Sequence, residues 1–156
     1  MRPEEGVGKL LKQMGLTISV AESCTGGLIQ KLITDVPGSS KYFLGGVVAY
    51  SNELKQKLAK VNPETLKEYG AVSPEVAQEL ARGISEITGS TLGLSATGIA
   101  GPTGETKEKP VGLVYVGICT KDVLKVERFL FKGTRREIRE KAATQALKQV
   151  IELLSH

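Results

Sequence analysis

Leu16-Thr17-Ile18-Ser19-Val20-Ala21, Glu22-Ser23-Cys24-Thr25-Gly26-Gly27 and Leu28-Ile29-Gln30-Lys31-Leu32-Ile33 follow one another without a break, and this stretch decides the fold. Leu16 to Ala21 carries alternating apolar residues, the period-two pattern that predicts a short β-strand. Apolar residues then recur at Leu28, Ile29, Leu32, Ile33 and Val36, at helical spacing, until Pro37-Gly38 stops them. A helix opened by Thr25-Gly26-Gly27 is predicted there. A strand that turns into a helix is the unit from which helix-covered sheets are built.

The same grammar extends outward. Upstream, Val7, Leu10, Leu11 and Met14 predict a helix with Gly15 as its C-cap. Downstream, Phe43 to Tyr50 reads as a buried strand leading into a short helix near Glu53 to Leu58. Pro63 to Tyr69 and Pro74 to Thr88 are two further helices, the second capped by Ser73, with Val76, Leu80, Ile84 and Ile87 as its apolar face. Thr91 to Thr97 is a strand, followed by a glycine- and proline-rich loop from Gly98 to Pro110. Val111 to Cys119 and Val123 to Phe131 lie a few residues apart, which favours an antiparallel hairpin. A long closing helix turns Ala143, Leu147, Val150, Ile151 and Leu154 inward. The expected fold class is α/β, a mixed sheet covered by helices on both faces. With no repeat or linker, residues 1–156 read as one domain.

Composition bounds the chemistry. Charged residues make up 24% and hydrophobic ones 40%, ordinary values for a globular chain. The net charge of +4 is scattered rather than striped, aromatics are 4%, and tryptophan is absent. That pattern argues against nucleic-acid binding. Two cysteines, Cys24 and Cys119, make no disulfide framework and fit a reducing compartment. Nothing resembles a secretory signal or a membrane span, so a cytoplasmic location is expected, and no membrane partner. The only histidine is His156, the last residue, so a Ser-His-Asp or Cys-His site has no base and a histidine-built metal site has no ligands. No cofactor is expected. Base rates alone favour a homo-oligomer.

The candidate chemistry centres on Ser23. It lies where a strand ends and a helix begins, beside backbone N–H groups that have no intrahelical partner. If Ser23 attacked a carbonyl, amides near Thr25, Gly26 and Gly27 are placed to hold the oxyanion. A plain N-cap role for Ser23 or Thr25 is the competing reading. A serine nucleophile without histidine needs a neutral lysine, and Tyr50-Ser51-Asn52-Glu53-Leu54-Lys55 offers both a lysine and a tyrosine at the end of the second predicted strand. Such a base requires the lysine pKa to fall from about 10.4 to roughly 7–8, about 4 kcal/mol of differential interaction. An ordinary surface lysine and a core tyrosine are the alternatives.

Thr97-Gly98-Ile99-Ala100-Gly101-Pro102-Thr103-Gly104 can present amides to phosphate or ribose oxygens, or serve only as a connection. Arg135 and Arg139, four residues apart on one helix face, form either a phosphate clamp or a solvated pair with Glu137 and Glu140. Two rival readings stand beside these: Cys24 as the nucleophile, and a non-catalytic nucleotide-binding or interaction module.

Taken together, Ala21-Glu22-Ser23-Cys24-Thr25-Gly26-Gly27, Tyr50-Ser51-Asn52-x-x-Lys55, Gly70-Ala71-Val72-Ser73, Gly98-Ile99-Ala100-Gly101-Pro102 and Lys109-Pro110-Val111-Gly112 resemble the CinA C-terminal domain family, in the expected order and over nearly the whole chain. That family includes the nicotinamide mononucleotide deamidases. The resemblance implies a three-layer α/β/α sandwich in its stand-alone form. It implies hydrolysis of the carboxamide of nicotinamide mononucleotide to nicotinate mononucleotide and ammonia, in pyridine-nucleotide salvage. It assigns catalysis to Ser23, Lys55 and Tyr50. Substrate contacts are expected from Thr25, Gly26, Gly27, Gly98, Ile99, Ala100, Gly101 and Arg139, with a small nucleotide as the partner and no metal.

Overall fold

The computed structural model describes residues 1–156. The chain runs α1 (Pro3–Met14), β1 (Ile18–Glu22), α2 (Leu28–Thr34), β2 (Phe43–Val48), α3 (Asn52–Ala59), α4 (Pro63–Tyr69) and α5 (Pro74–Thr88), then β3 (Leu92–Gly98), β4 (Leu113–Cys119), β5 (Leu124–Leu130) and α6 (Arg135–Leu154). The five strands lie in the order β2-β1-β3-β4-β5. β1 is parallel to both β2 and β3, because helices carry the chain back between them. β4 is antiparallel to β3 and to β5, because no helix intervenes.

Two apolar cores make this a three-layer α/β/α sandwich. Val7 and Leu11 of α1, Ile29 and Ile33 of α2, and Ala142, Ala146, Leu147 and Val150 of α6 pack on Ile18, Val20, Leu94 and Val116. On the other face, Ala59, Val61, Leu66, Val76, Leu80 and Ile84 close over Ala21. β1 is therefore central, and all five of its residues are buried. Its polar members are satisfied inside: the Ser19 and Ser90 hydroxyls lie 2.6 Å apart.

The second face is built from small residues, which lets α5 lie directly on the sheet. A Cβ at Gly93 would fall 2.0 Å from the Ala81 carbonyl oxygen, and one at Gly117 would fall 2.5 Å from that of Ala77. The Ser95 hydroxyl donates to the same Ala77 oxygen at 2.6 Å. Gly93→Val must push α5 away and is expected to cost about 3 kcal/mol or more, by analogy with overpacked cores. Urea denaturation measures it, and an unchanged midpoint would refute the contact.

Several boundaries differ from the sequence reading. The first strand begins at Ile18 rather than Leu16, and the third ends at Gly98 rather than Thr97. The two late strands and β2 are one or two residues shorter at each affected end. The helix after Gly27 starts only at Leu28, because Gly26 (φ 58°) and Gly27 (φ 102°) hold left-handed backbone that cannot form its first turn. Ile87, assigned to the inner face of α5, is about half exposed; Ala77 and Ala81 occupy that face with Val76, Leu80 and Ile84. No helix is long and apolar enough to cross a membrane.

Candidate active site

The parallel strands β1, β2 and β3 release their chains at one end of the sheet, where open α/β sheets place ligands. β1 ends at Glu22, and side chains alternate, so Glu22 and Ser23 point to opposite faces. On the α2 side the Glu22 carboxylate, fully buried, accepts the Ile29 and Gln30 amides at 2.9 and 3.0 Å. It takes up the first free donors of α2 and attracts its positive end. The sequence reading missed this role. Ser23 faces the other side, its amide bound to the Ala96 carbonyl of β3 at 3.0 Å. Ser23 is 7% exposed, and its hydroxyl makes no hydrogen bond to the protein.

A cleft of about 180 Å³ opens here, lined by Ser23, Cys24, Tyr50, Asn52, Lys55, Ala71, Val72, Thr97, Gly98, Ala100 and Arg135. The three residues proposed for catalysis, Ser23 after β1, Tyr50 in the β2–α3 connection and Lys55 within α3, thus share one cleft. Ser51 caps α3 by accepting the Leu54 amide, which sets the helix so that Lys55 points inward. Lys55 is 1% exposed while its neighbours Gln56 and Lys57 are solvated. Burial lowers its pKa from 10.5 to about 8. Its Nζ donates to the Tyr50 carbonyl at 2.7 Å rather than to Ser23. A neutral amine so held keeps its lone pair for a second partner.

Tyr50, read from sequence as a core residue in the bland case, is 58% exposed. Its hydroxyl accepts from Arg135 Nη2 at 3.0 Å, and Arg135 Nη1 donates to the Gly101 carbonyl at 2.8 Å. Cys24 belongs to the core on the α6 side, where burial pushes its thiol up to about 12. A thiol at that value is a poor nucleophile near neutral pH.

The expected substrate-binding set divides. Gly98 and Ala100 line the cleft; Thr25, Gly26, Gly27, Ile99 and Gly101 do not, and the Ile99 amide is bound to the Leu113 carbonyl. Gly101 instead contributes the carbonyl that Arg135 grips. In the turn after Ser23, the Gly26 amide is taken up by the Ser23 carbonyl, whereas those of Thr25 and Gly27 donate to no protein acceptor. Arg139 does not reach the cleft; its Nε donates to the Cys24 carbonyl at 3.0 Å and its Nη2 to that of Thr25 at 3.1 Å. Asn52, Ala71, Val72 and Thr97 had no assigned role, although all four fall inside quoted stretches. The Thr97 hydroxyl ties β3 to Ala71 at 2.8 Å.

These features define a three-layer α/β/α domain with a cleft over the carboxyl ends of its parallel strands, holding a serine and a buried lysine. The chain belongs to the CinA family: the model of the CinA C-terminal domain matches residues 2–154. It is 50% identical over 153 residues to a competence-damage inducible protein of Desulforudis audaxviator, covering 98% of this chain and 37% of that protein. A namesake from Thermoanaerobacter pseudethanolicus is 53% identical over 144 residues, covering 92% and 35%. The chain thus spans a little over a third of the length of these relatives. Among solved structures, the competence/damage inducible protein CihA of Agrobacterium tumefaciens matches with a TM-score of 0.89 at 36% identity, covering 99% of this chain and 96% of that one. A CinA superfamily protein of Klebsiella pneumoniae matches with a TM-score of 0.94 at 28% identity, covering 100% and 99%.

Proposed function

We propose that this domain hydrolyses the carboxamide of nicotinamide mononucleotide to nicotinate mononucleotide and ammonia. The observation that carries the reading is Lys55, an amine buried in the same cleft as Ser23 and brought to about 8 by desolvation. Near neutral pH a usable fraction of such an amine is the free base. The family resemblance supplies the substrate.

Ser23 Oγ attacks the amide carbon, and its proton passes to Lys55 Nζ. The carbonyl oxygen becomes an oxyanion, for which the unengaged amides of Thr25 and Gly27 are candidates in the turn. Collapse breaks the C–N bond, and the leaving nitrogen takes the proton and departs as ammonia. Water, activated by Lys55, then cleaves the ester, freeing the carboxylate and restoring the Ser23 hydroxyl. Arg135 at the cleft mouth supplies positive charge for the phosphate, with the Tyr50 hydroxyl as its partner.

Incubating the purified domain with nicotinamide mononucleotide tests this directly, by ammonia release and chromatography of nicotinate mononucleotide. Turnover supports the amidase. Thermal stabilisation by the nucleotide with no ammonia would select a non-catalytic binding module instead.

A further inference from the structure

Resting on the amidase reading, we infer that Arg139 is a positioning residue: from the α6 side of the sheet it holds the carbonyls of Cys24 and Thr25 so that the Thr25 amide faces the reacting carbonyl. A trans peptide points its N–H opposite to its C=O. The Cys24 carbonyl is held toward Arg139 Nε, so the Thr25 N–H is directed away from the guanidinium. The Thr25 carbonyl is held by Nη2 in the same grip, and its own peptide partner, the Gly26 amide, is turned back onto the Ser23 carbonyl. One guanidinium thereby sets two consecutive peptide planes.

Three further observations fit a built clamp. A Cβ at Gly26 would lie 2.8 Å from Arg139 Nη2, so glycine there gives the guanidinium room as well as allowing φ 58°. No carboxylate lies within ion-pair distance of Arg139, so carbonyl dipoles alone answer its charge. A cation on a carbonyl oxygen polarises that peptide and strengthens its N–H as a donor. Finally, Thr134 and Glu137 form a reciprocal capping box that fixes the first turn of α6, directly before Arg139.

The test compares wild type with Arg139→Ala, Arg139→Lys and Gly26→Ala, using nicotinamide mononucleotide as substrate and phenylmethylsulfonyl fluoride as a substrate-independent probe. The probe forms a bond from Ser23 Oγ to sulfur, breaks the S–F bond, releases fluoride and passes the hydroxyl proton to Lys55. Arg139→Ala is expected to lower kcat by about 10²–10³-fold, the usual effect of losing an oxyanion donor, with KM held within a factor of about two. Sulfonylation of Ser23, followed by mass spectrometry, should slow with it. Gly26→Ala displaces the guanidinium and should do the same. Arg139→Lys, with a single point donor, should recover only part, and added guanidinium should partly restore Arg139→Ala. A raised KM at unchanged kcat would make Arg139 a substrate ligand and overturn the inference, as would wild-type sulfonylation in Arg139→Ala. If Arg139→Ala does not fold, Arg139→Lys and Gly26→Ala at matched thermal midpoints decide. A wild type that is sulfonylated at Ser23 but releases no ammonia ends the amidase reading, and the clamp then stands or falls on the sulfonylation rates. Wild-type Ser23 inert to the probe overturns the clamp.

Discussion

Ser23→Ala is expected to reduce ammonia release from nicotinamide mononucleotide by roughly 10⁴-fold or more, the scale seen when a covalent nucleophile is removed. The residue is held at the carboxyl end of the central strand by its own amide, not by its hydroxyl, so the variant keeps the backbone geometry. Because that hydroxyl makes no hydrogen bond to the protein, the change in stability should stay within about 0.5 kcal/mol. Activity and stability therefore separate, and a folded but inactive variant is the expected result. Cys24→Ala is the matched control. Its thiol, pushed up to about 12 by burial, is a poor nucleophile near neutral pH. Substantial turnover by Ser23→Ala together with its loss in Cys24→Ala would move the nucleophile one residue along and end the serine scheme.

Lys55→Met should abolish turnover and, at the same time, make the domain more stable at neutral pH. In the folded chain the Lys55 pKa is lowered from 10.5 to about 8 by desolvation, so the protonated folded form bears a penalty of about 3 kcal/mol. The direction with pH follows from proton counting. Between about 8 and 10.5 the unfolded chain binds the proton and the folded chain does not, so stability rises with pH across that window and falls as pH drops through it. Methionine removes the penalty while filling similar volume. Its stabilising advantage should be largest at pH 7, up to about 3 kcal/mol, and mostly gone by pH 10. Urea denaturation at both pH values measures this. In the proposed reaction, wild-type kcat/KM should climb with an apparent pKa of about 8 as Lys55 loses its proton. A flat profile from pH 6 to 9, or a Lys55→Met variant less stable at pH 7, would show that this amine is not the desolvated base.

Part of the candidate site is legible in the sequence itself. Ser23 follows a strand and precedes two glycines, which marks it as a candidate beside the N-cap reading, and the family motifs taken together single it out. Tyr50 and Lys55 were readable because they close the next strand–helix unit. Burial was not readable: Lys55, Lys57 and Lys60 have the same side chain within six positions, and only the first is enclosed, in the cleft beside Ser23, whereas Lys57 pairs with Glu53 and Lys60 with Glu86 at the surface. Arg135 and Arg139 share one face of α6 by helical spacing, yet one lies at the cleft mouth and the other beneath the turn. That division depends on where α6 crosses the sheet, which helical periodicity does not encode. Glu22 was quoted within a motif but not recognised as the cap of α2, since its partners follow two left-handed glycines whose path no spacing rule predicts.

Period and punctuation in the chain established the order of strands and helices, the antiparallel end of the sheet and the absence of a histidine base, because these depend on neighbours a few residues apart. Folding in three dimensions settled the rest: which lysine is dehydrated, which amides of the Ser23 turn remain unengaged, and which arginine grips main chain. Those properties arise from contacts between segments as much as 115 residues apart, such as Arg139 with Cys24, and no local pattern carries them.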